Sequence, residues 1–168
     1  TVIVLHDRLY NKKNFHVINS STLDDKWFKN FKEARIDKVR FLYVARINPV
    51  KGINEFLEMF NNLEMEAELS IIGKTNNLRH QKKFKSLIEN SKNIKFPGYI
   101  SSRQELINTY DNHNILILPS FTEGQPYVVD ESLVRRRPVL IFEDIAQIIK
   151  DRKGIFVAKR NATSFIET

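Results

Sequence analysis

A chain of 168 residues with 42% hydrophobic side chains is long enough to bury one substantial core and too apolar to stay disordered, so one folded domain is expected. It has no cysteine, which excludes disulfides, thiol nucleophiles and thiolate metal sites and fits a reducing, cytoplasmic setting. The formal charge of +7 suits polyanionic or anionic-lipid partners, but the basic residues are dispersed: of the runs Lys12-Lys13, Lys82-Lys83 and Arg135-Arg136-Arg137, the first two read as solvated faces.

The opening Thr1-Val-Ile-Val-Leu5 reads as a strand. It is too short for a membrane anchor and lacks the basic flank of a signal peptide. No Met precedes it and Thr168 falls inside a helix-like run, so the chain is expected to be a piece of a longer protein, with 1–22 a remnant of an interdomain segment and 23–168 the domain proper. Phe15 to Ile18 suits a short strand, Asn19-Ser-Ser-Thr22 a turn and Asp24 to Phe31 a helix. From Val39 the pattern becomes regular. Strand Val39 to Ala45, helix Ile53 to Phe60, strand Ala67 to Ile72, helix Leu78 to Glu89, strand Ile94 to Phe96 and helix Gln104 to Tyr110 follow one another. The second half continues with strand Ile115 to Leu118, helix Pro126 to Arg135, strand Val139 to Phe142, helix Ile145 to Ile149, strand Ile155 to Ala158 and a helix from Ala162. Strands alternating with helices predict an α/β fold, a Rossmann-like parallel sheet covered on both faces by right-handed crossovers.

In such a sheet, ligands bind beyond the carboxyl ends of the strands, so the loops leaving the strands form one rim. Around Pro126 a buried strand turns into a helix whose first N–H groups face that rim, an anion site by construction. Glu123 stands just before this helix and Glu131 lies five residues past Pro126, about 7 to 8 Å further along. Two carboxylates flanking an anion site suit a long ligand with phosphates in the middle and hydroxyls at both ends, such as a sugar nucleotide; solvated helix-start carboxylates are the commoner reading of the pair alone. The turn after Ala45 holds Arg46 and Lys51, a planar fork and a mobile point charge that could clamp a diphosphate, or else two solvated loop cations. Gly73 ends the second strand, where a missing Cβ would admit a ligand to the backbone or serve an ordinary turn. Pro97-Gly98-Tyr99-Ile100 could hold a flat base, although core packing is the commoner fate of a tyrosine such as Tyr99. His6, His16, His80 and His113 show no metal-ligand spacing, and no nucleophile elbow, Walker loop or Gly-x-Gly-x-x-Gly occurs.

These residues resemble, in order, the C-terminal, donor-binding domain of retaining GT-B glycosyltransferases of the glycosyl transferases group 1 family. Phe41 to Arg46 with Lys51-Gly52 looks like the first strand and its Arg-x-x-x-x-Lys-Gly turn, and Leu69 to Gly73 like the second strand. Phe96 to Ile100 is similar to the base-side segment, Ile117 to Ser120 to the strand before the signature, and Glu123 to Glu131 to the Glu-x7-Glu signature. Asn19 falls where an Asn-Gly turn often precedes this domain. The chain departs from the family at Val134-Arg-Arg-Arg137, where a small, Gly-containing segment is usual, at Ala45 in place of Gly, and at Lys74-Thr75 where a second Gly is common.

The resemblance implies that Arg46 and Lys51 hold the diphosphate, that Glu123 and the segment after it, Gly124, Gln125, Pro126 and Tyr127, with its amides, meet the donor sugar, and that Glu131 binds the ribose. It further implies transfer of a sugar from a nucleotide-sugar to a polysaccharide, lipid-linked or other glycan acceptor, no metal or other cofactor, no nucleic-acid partner, an acceptor domain outside this chain, and a cytoplasmic protein open to peripheral contact with an anionic membrane at its inner face. Two rivals remain: a non-enzymatic α/β interaction module with a basic face, and a phosphorylase or sugar-nucleotide epimerase on the same architecture.

Overall fold

The computed structural model describes residues 2–4, 15–17, 23–74, 78–89, 91–149 and 152–168. Lys12-Lys13, Asn19 with the turn expected at 19–22, His6 and Thr75 lie outside the described residues. Near the start, β1 (Val2–Val4) pairs in parallel with β2 (Phe15–Val17).

Runs of β-branched and aromatic residues produce the main sheet, whose strands are β3 (Val39–Val44), β4 (Ala67–Ile72), β5 (Ile94–Gly98), β6 (Ile115–Leu118), β7 (Val139–Phe142) and β8 (Ile155–Ala158). All are parallel, in the order β5-β4-β3-β6-β7-β8. The chain therefore builds outward from β3 in one direction and, starting again at β6, in the other. The switch point of the topology lies between β3 and β6. The strand expected at Ile94 to Phe96 runs on through Pro97 to Gly98, which costs no ladder bond because β5 is an edge strand.

Side chains alternate between two cores, one on each face of the sheet. Phe41, Tyr43, Ile117, Leu140 and Phe142 face one core, which α1 (Ile53–Phe60), α2 (Leu78–Ile88) and α6 (Ala162–Glu167) cover. Leu42, Leu116, Leu118, Val139 and Ile141 face the other, under α3 (Arg103–Asp111), α4 (Tyr127–Val134) and the short α5 (Ala146–Ile149). Helix α1 buries Ile53, Phe56, Leu57 and Phe60, the spacing of one helical stripe, and each such side chain contributes about 1.5 to 3 kcal/mol of transfer free energy.

The helix expected over Asp24 to Phe31 is a single 3-10 turn, Asp25–Phe28. Two buried arginines explain the difference. Arg135 donates from Nη1 to the carbonyls of Trp27 and Lys29, both at 2.8 Å, and from Nη2 to that of Asn30 at 3.1 Å, while Arg137 Nη2 reaches the carbonyl of Lys32 at 2.8 Å. Carbonyls that would have continued a helix are thus bonded to side chains, and the segment is held extended. Arg135 and Arg137 are 1% and 2% exposed, whereas Lys82 and Lys83 are exposed as expected.

Candidate functional site

The loops leaving β3 and β6 meet at the switch point, and backbone packing zips them together. Asn48 caps the turn Pro49–Lys51 by accepting from the Lys51 N–H at 3.2 Å, and Gly52 then takes φ +62°, a left-handed conformation. A Cβ on Gly52 would also lie 2.0 Å from the carbonyl oxygen of Pro119, so no other residue allows this approach. The Phe121 N–H donates to the Val50 carbonyl at 2.9 Å, closing the seam.

This seam brings Lys51 to Glu123. Lys51 Nζ lies 2.6 Å from Glu123 Oε1, and the Ser120 hydroxyl donates to the same oxygen at 2.6 Å. Both side chains are largely withdrawn from water, at 17% and 6% exposure, so removing either would leave a desolvated charge without its partner. Behind it, the Tyr43 hydroxyl donates to the Arg46 carbonyl at 3.0 Å; burial, and then the charge of Glu123, push its pKa up and keep it a proton donor.

Beside the seam opens a cavity of about 330 Å³ lined by Val44, Ala45, Arg46, Ile72, Gly73, Lys74, Tyr99, Ile100, Leu106, Tyr127, Val128 and Glu131. Its walls are mostly apolar, with one carboxylate and two cations. Glu131, 8% exposed, accepts from the Tyr110 hydroxyl at 2.8 Å. Burial and the neighbouring Glu131 charge hold the Tyr110 pKa well above its ordinary value, so this phenol also remains a donor. Arg46 is exposed, and its guanidinium makes no hydrogen bond or ion pair among the described residues. Lys74 Nζ sits 5.1 Å from the centroid of the Tyr99 ring, a cation–π contact.

Of the residues singled out from the sequence, Arg46, Gly73, Tyr99, Ile100, Tyr127 and Glu131 therefore share one cavity, with Lys51 and Glu123 paired at the adjoining seam. Gly124, Gln125 and Pro126 fall outside the cavity lining, in the link from the seam to α4. Gly124 is exposed with open space where a Cβ would stand. The helix expected to begin at Pro126 begins one residue later, at Tyr127, with Pro126 as its N-cap. Tyr99 is not a core residue, being 64% exposed at the cavity. Gly73 lacks a side chain for the sake of packing, since a Cβ there would lie 2.0 Å from the Ala45 carbonyl oxygen.

Three residues at the site went unread in the sequence. Tyr110 and Ser120, each bonded to a glutamate, belong to this group, and their partners depend on contacts between elements. Arg160, just past β8, donates from Nη2 to the carbonyl of Pro119 at 3.1 Å and to Asp144 at 2.7 Å, and its guanidinium lies over the rings of Phe121 and Phe142. It braces the loop that carries Glu123. Its position after a parallel strand, on the same rim as Arg46 and Glu123, was the available signal.

The fold has known counterparts. The C-terminal domain of a glycosyl transferase group 1 family protein (LpcC) from Francisella tularensis aligns with a TM-score of 0.62 at 18% identity, over 77% of this chain and 72% of that one. Sucrose-phosphate synthase from Thermosynechococcus elongatus aligns with a TM-score of 0.71 at 16% identity, over 91% and 42%. Anabaena HepE, solved in complex with UDP and glucose, aligns with a TM-score of 0.70 at 13% identity, over 91% and 45%. At such identities the likeness is one of fold, and the chain spans less than half the length of the last two. No curated protein matches it. The profile of Glycosyl transferases group 1, in contrast, matches residues 25–168, and by that match over most of its length this chain belongs to the glycosyl transferases group 1 family.

Proposed function

We propose that this chain is the donor-binding half of a retaining glycosyltransferase and takes a nucleoside diphosphate sugar at the switch point between β3 and β6. The observation that carries the reading is the placement of Arg46 and Glu131 on one largely apolar cavity beside the Lys51–Glu123 pair. A base fits the flat apolar walls near Tyr99 and Ile100, the ribose hydroxyls meet Glu131, and the diphosphate lies toward Arg46 and the first turn of α4. Lys51 need not leave Glu123 to take part, because an ammonium has three donors and the carboxylate engages one. Glu123 in turn is held by Lys51 and Ser120 where the sugar would follow the diphosphate, and the amides of Gly124, Gln125 and Tyr127 line the same approach.

Bond cleavage at the anomeric carbon puts negative charge on the leaving diphosphate. Arg46, Lys51 and the α4 N-terminus would meet that charge without a metal ion, in a site pre-shaped for it. The acceptor, a glycan or a lipid-linked one, would be presented by a domain outside this chain, at the inner face of the membrane in the lipid-linked case. For the rival, a non-enzymatic module with a basic face, Arg135 and Arg137 supply no charge to a surface, because both are buried and bonded within the fold.

Thermal denaturation with a panel of nucleoside diphosphates and their sugars tests the reading. A ligand at about one hundred times its Kd stabilises the folded state by about 2.7 kcal/mol, a rise of about 5 to 10 °C for a domain of this size. Arg46→Ala should reduce that rise while leaving the unliganded melting temperature in place. If no member of the panel raises it in the wild type, the donor-site reading is wrong.

A further inference from the structure

Helices α3 and α4 are clamped together by two adjacent contacts. Tyr110 and Asp111, consecutive on α3, engage Glu131 on α4 and Arg135 at its C-cap, four residues on: the Tyr110 hydroxyl donates to Glu131 Oε2 at 2.8 Å, and Arg135 donates to Asp111 from Nε at 2.9 Å and from Nη2 at 2.8 Å. Tyr110 is 1% exposed, and the ring of Trp27 packs against it edge-on with centroids 5.6 Å apart at 65°. The phenol has little freedom to move. Glu131, by contrast, is a flexible side chain lining the cavity, and a carboxylate at 8% exposure is costly to leave without donors.

From this geometry we propose that Tyr110 is a positioning residue for ribose recognition: its buried hydroxyl fixes the Glu131 carboxylate in the rotamer that receives the two ribose hydroxyls of the donor. The inference rests on the proposed reading of the cavity as a nucleotide site and goes beyond it in assigning the selectivity to a residue that touches no ligand. With Oε2 anchored, rotation about the last bond of the Glu131 side chain is blocked and the direction of its other lone pairs is set. The second clamp, Asp111 with Arg135, holds the turn of α4 that follows and so keeps the helix itself from rotating. A hydroxyl present only to satisfy a buried carboxylate would affect stability; a positioning hydroxyl also affects which ligand is preferred.

Tyr110→Phe in the full-length protein keeps the ring and removes only the hydroxyl. Calorimetry compares the best-bound ribonucleoside diphosphate with its 2′,3′-dideoxy counterpart, in wild type and variant. The wild type should prefer the ribonucleotide, and Tyr110→Phe should lose about ten- to hundredfold of that preference, as expected when one ribose hydrogen bond to the carboxylate is withdrawn, while affinity for the dideoxy ligand changes less than twofold. An undiminished preference in a variant that melts as a folded protein overturns the role of Tyr110 and leaves the nucleotide reading standing. A wild type with no preference between the two ligands removes Glu131 from the ribose, and the proposal with it. Should Tyr110→Phe fold poorly, the comparison is repeated in the cold with sucrose, which favours the folded state, and an undiminished preference there overturns the proposal; in the same buffer the double variant with Glu131→Gln should lose no more preference than Glu131→Gln alone, and summed losses overturn the proposal as well.

Discussion

Arg136 occupies a backbone position made for glycine. Helix α4 ends with the Arg136 N–H donating to the Leu133 carbonyl and the Arg137 N–H to that of Ser132, both at 2.9 Å, the double closure of a Schellman motif, and Arg136 itself has φ +58°. A side chain in that region costs about 1 to 2 kcal/mol, and a glycine there would avoid it. What Arg136 gains is a contact of its guanidinium with the Phe31 ring at 4.4 Å, worth about 0.5 to 1 kcal/mol at an exposed site. Arg136→Gly should therefore raise stability by about 0.5 to 1 kcal/mol in urea denaturation, and Arg136→Ala, which keeps the strain and loses the contact, should lower it. An Arg136→Gly variant less stable than the wild type would mean that the cation–π contact outweighs the backbone strain.

At the scale of elements, the segment before β3 is held to the domain by α4. All the donors of Arg135 are engaged: three backbone carbonyls of residues 27–30 and both oxygens of Asp111. Replacing it with Met leaves a buried carboxylate at 2% exposure without its counter-ion, so Arg135→Met should cost about 3 to 5 kcal/mol, read as a lower denaturation midpoint. A loss under 1 kcal/mol would show that water replaces the guanidinium and that the strap is loose. The same contacts explain what the sequence could and could not convey. Strands β4, β6, β7 and β8 and helix α1 were legible to the residue, because short apolar runs and a 3, 4, 7 stripe depend on local pattern. The helix expected at Asp24 to Phe31 was not, because its carbonyls answer to arginines more than one hundred residues away. The site divides in the same way: the rim positions of Arg46, Glu123 and Glu131 follow from the strand order. The Lys51–Glu123 pair and the phenol behind Glu131 follow only from how loops and helices pack.

For the whole molecule, the proposed reading makes this domain one wall of a cleft. The sheet presents its carboxyl rim, the two cores close its faces, and the cavity lies at the ends of β3, β4 and β5, against α3 and α4 on the side of the second core. Among the described residues no helix is long and apolar enough to cross a membrane. Everything proposed for the donor, from base to diphosphate, is met by residues of this rim. Nothing on the rim is proposed to present an acceptor hydroxyl to the face of the sugar from which the diphosphate departs, and two of the solved proteins of this fold are more than twice as long as the part they share with it. Retention requires the acceptor on that face, and reaction is fast only when the two partners are held in near-attack geometry, an effect worth about 7 to 11 kcal/mol of the barrier. The isolated chain should accordingly bind a nucleoside diphosphate sugar yet neither transfer nor hydrolyse it measurably, while the full-length protein turns it over with acceptor present. Following release of nucleoside diphosphate from both, at donor concentrations that saturate the isolated chain, separates the possibilities. Transfer by the isolated chain at the full-length rate would place the whole reaction on this rim and end the two-wall account.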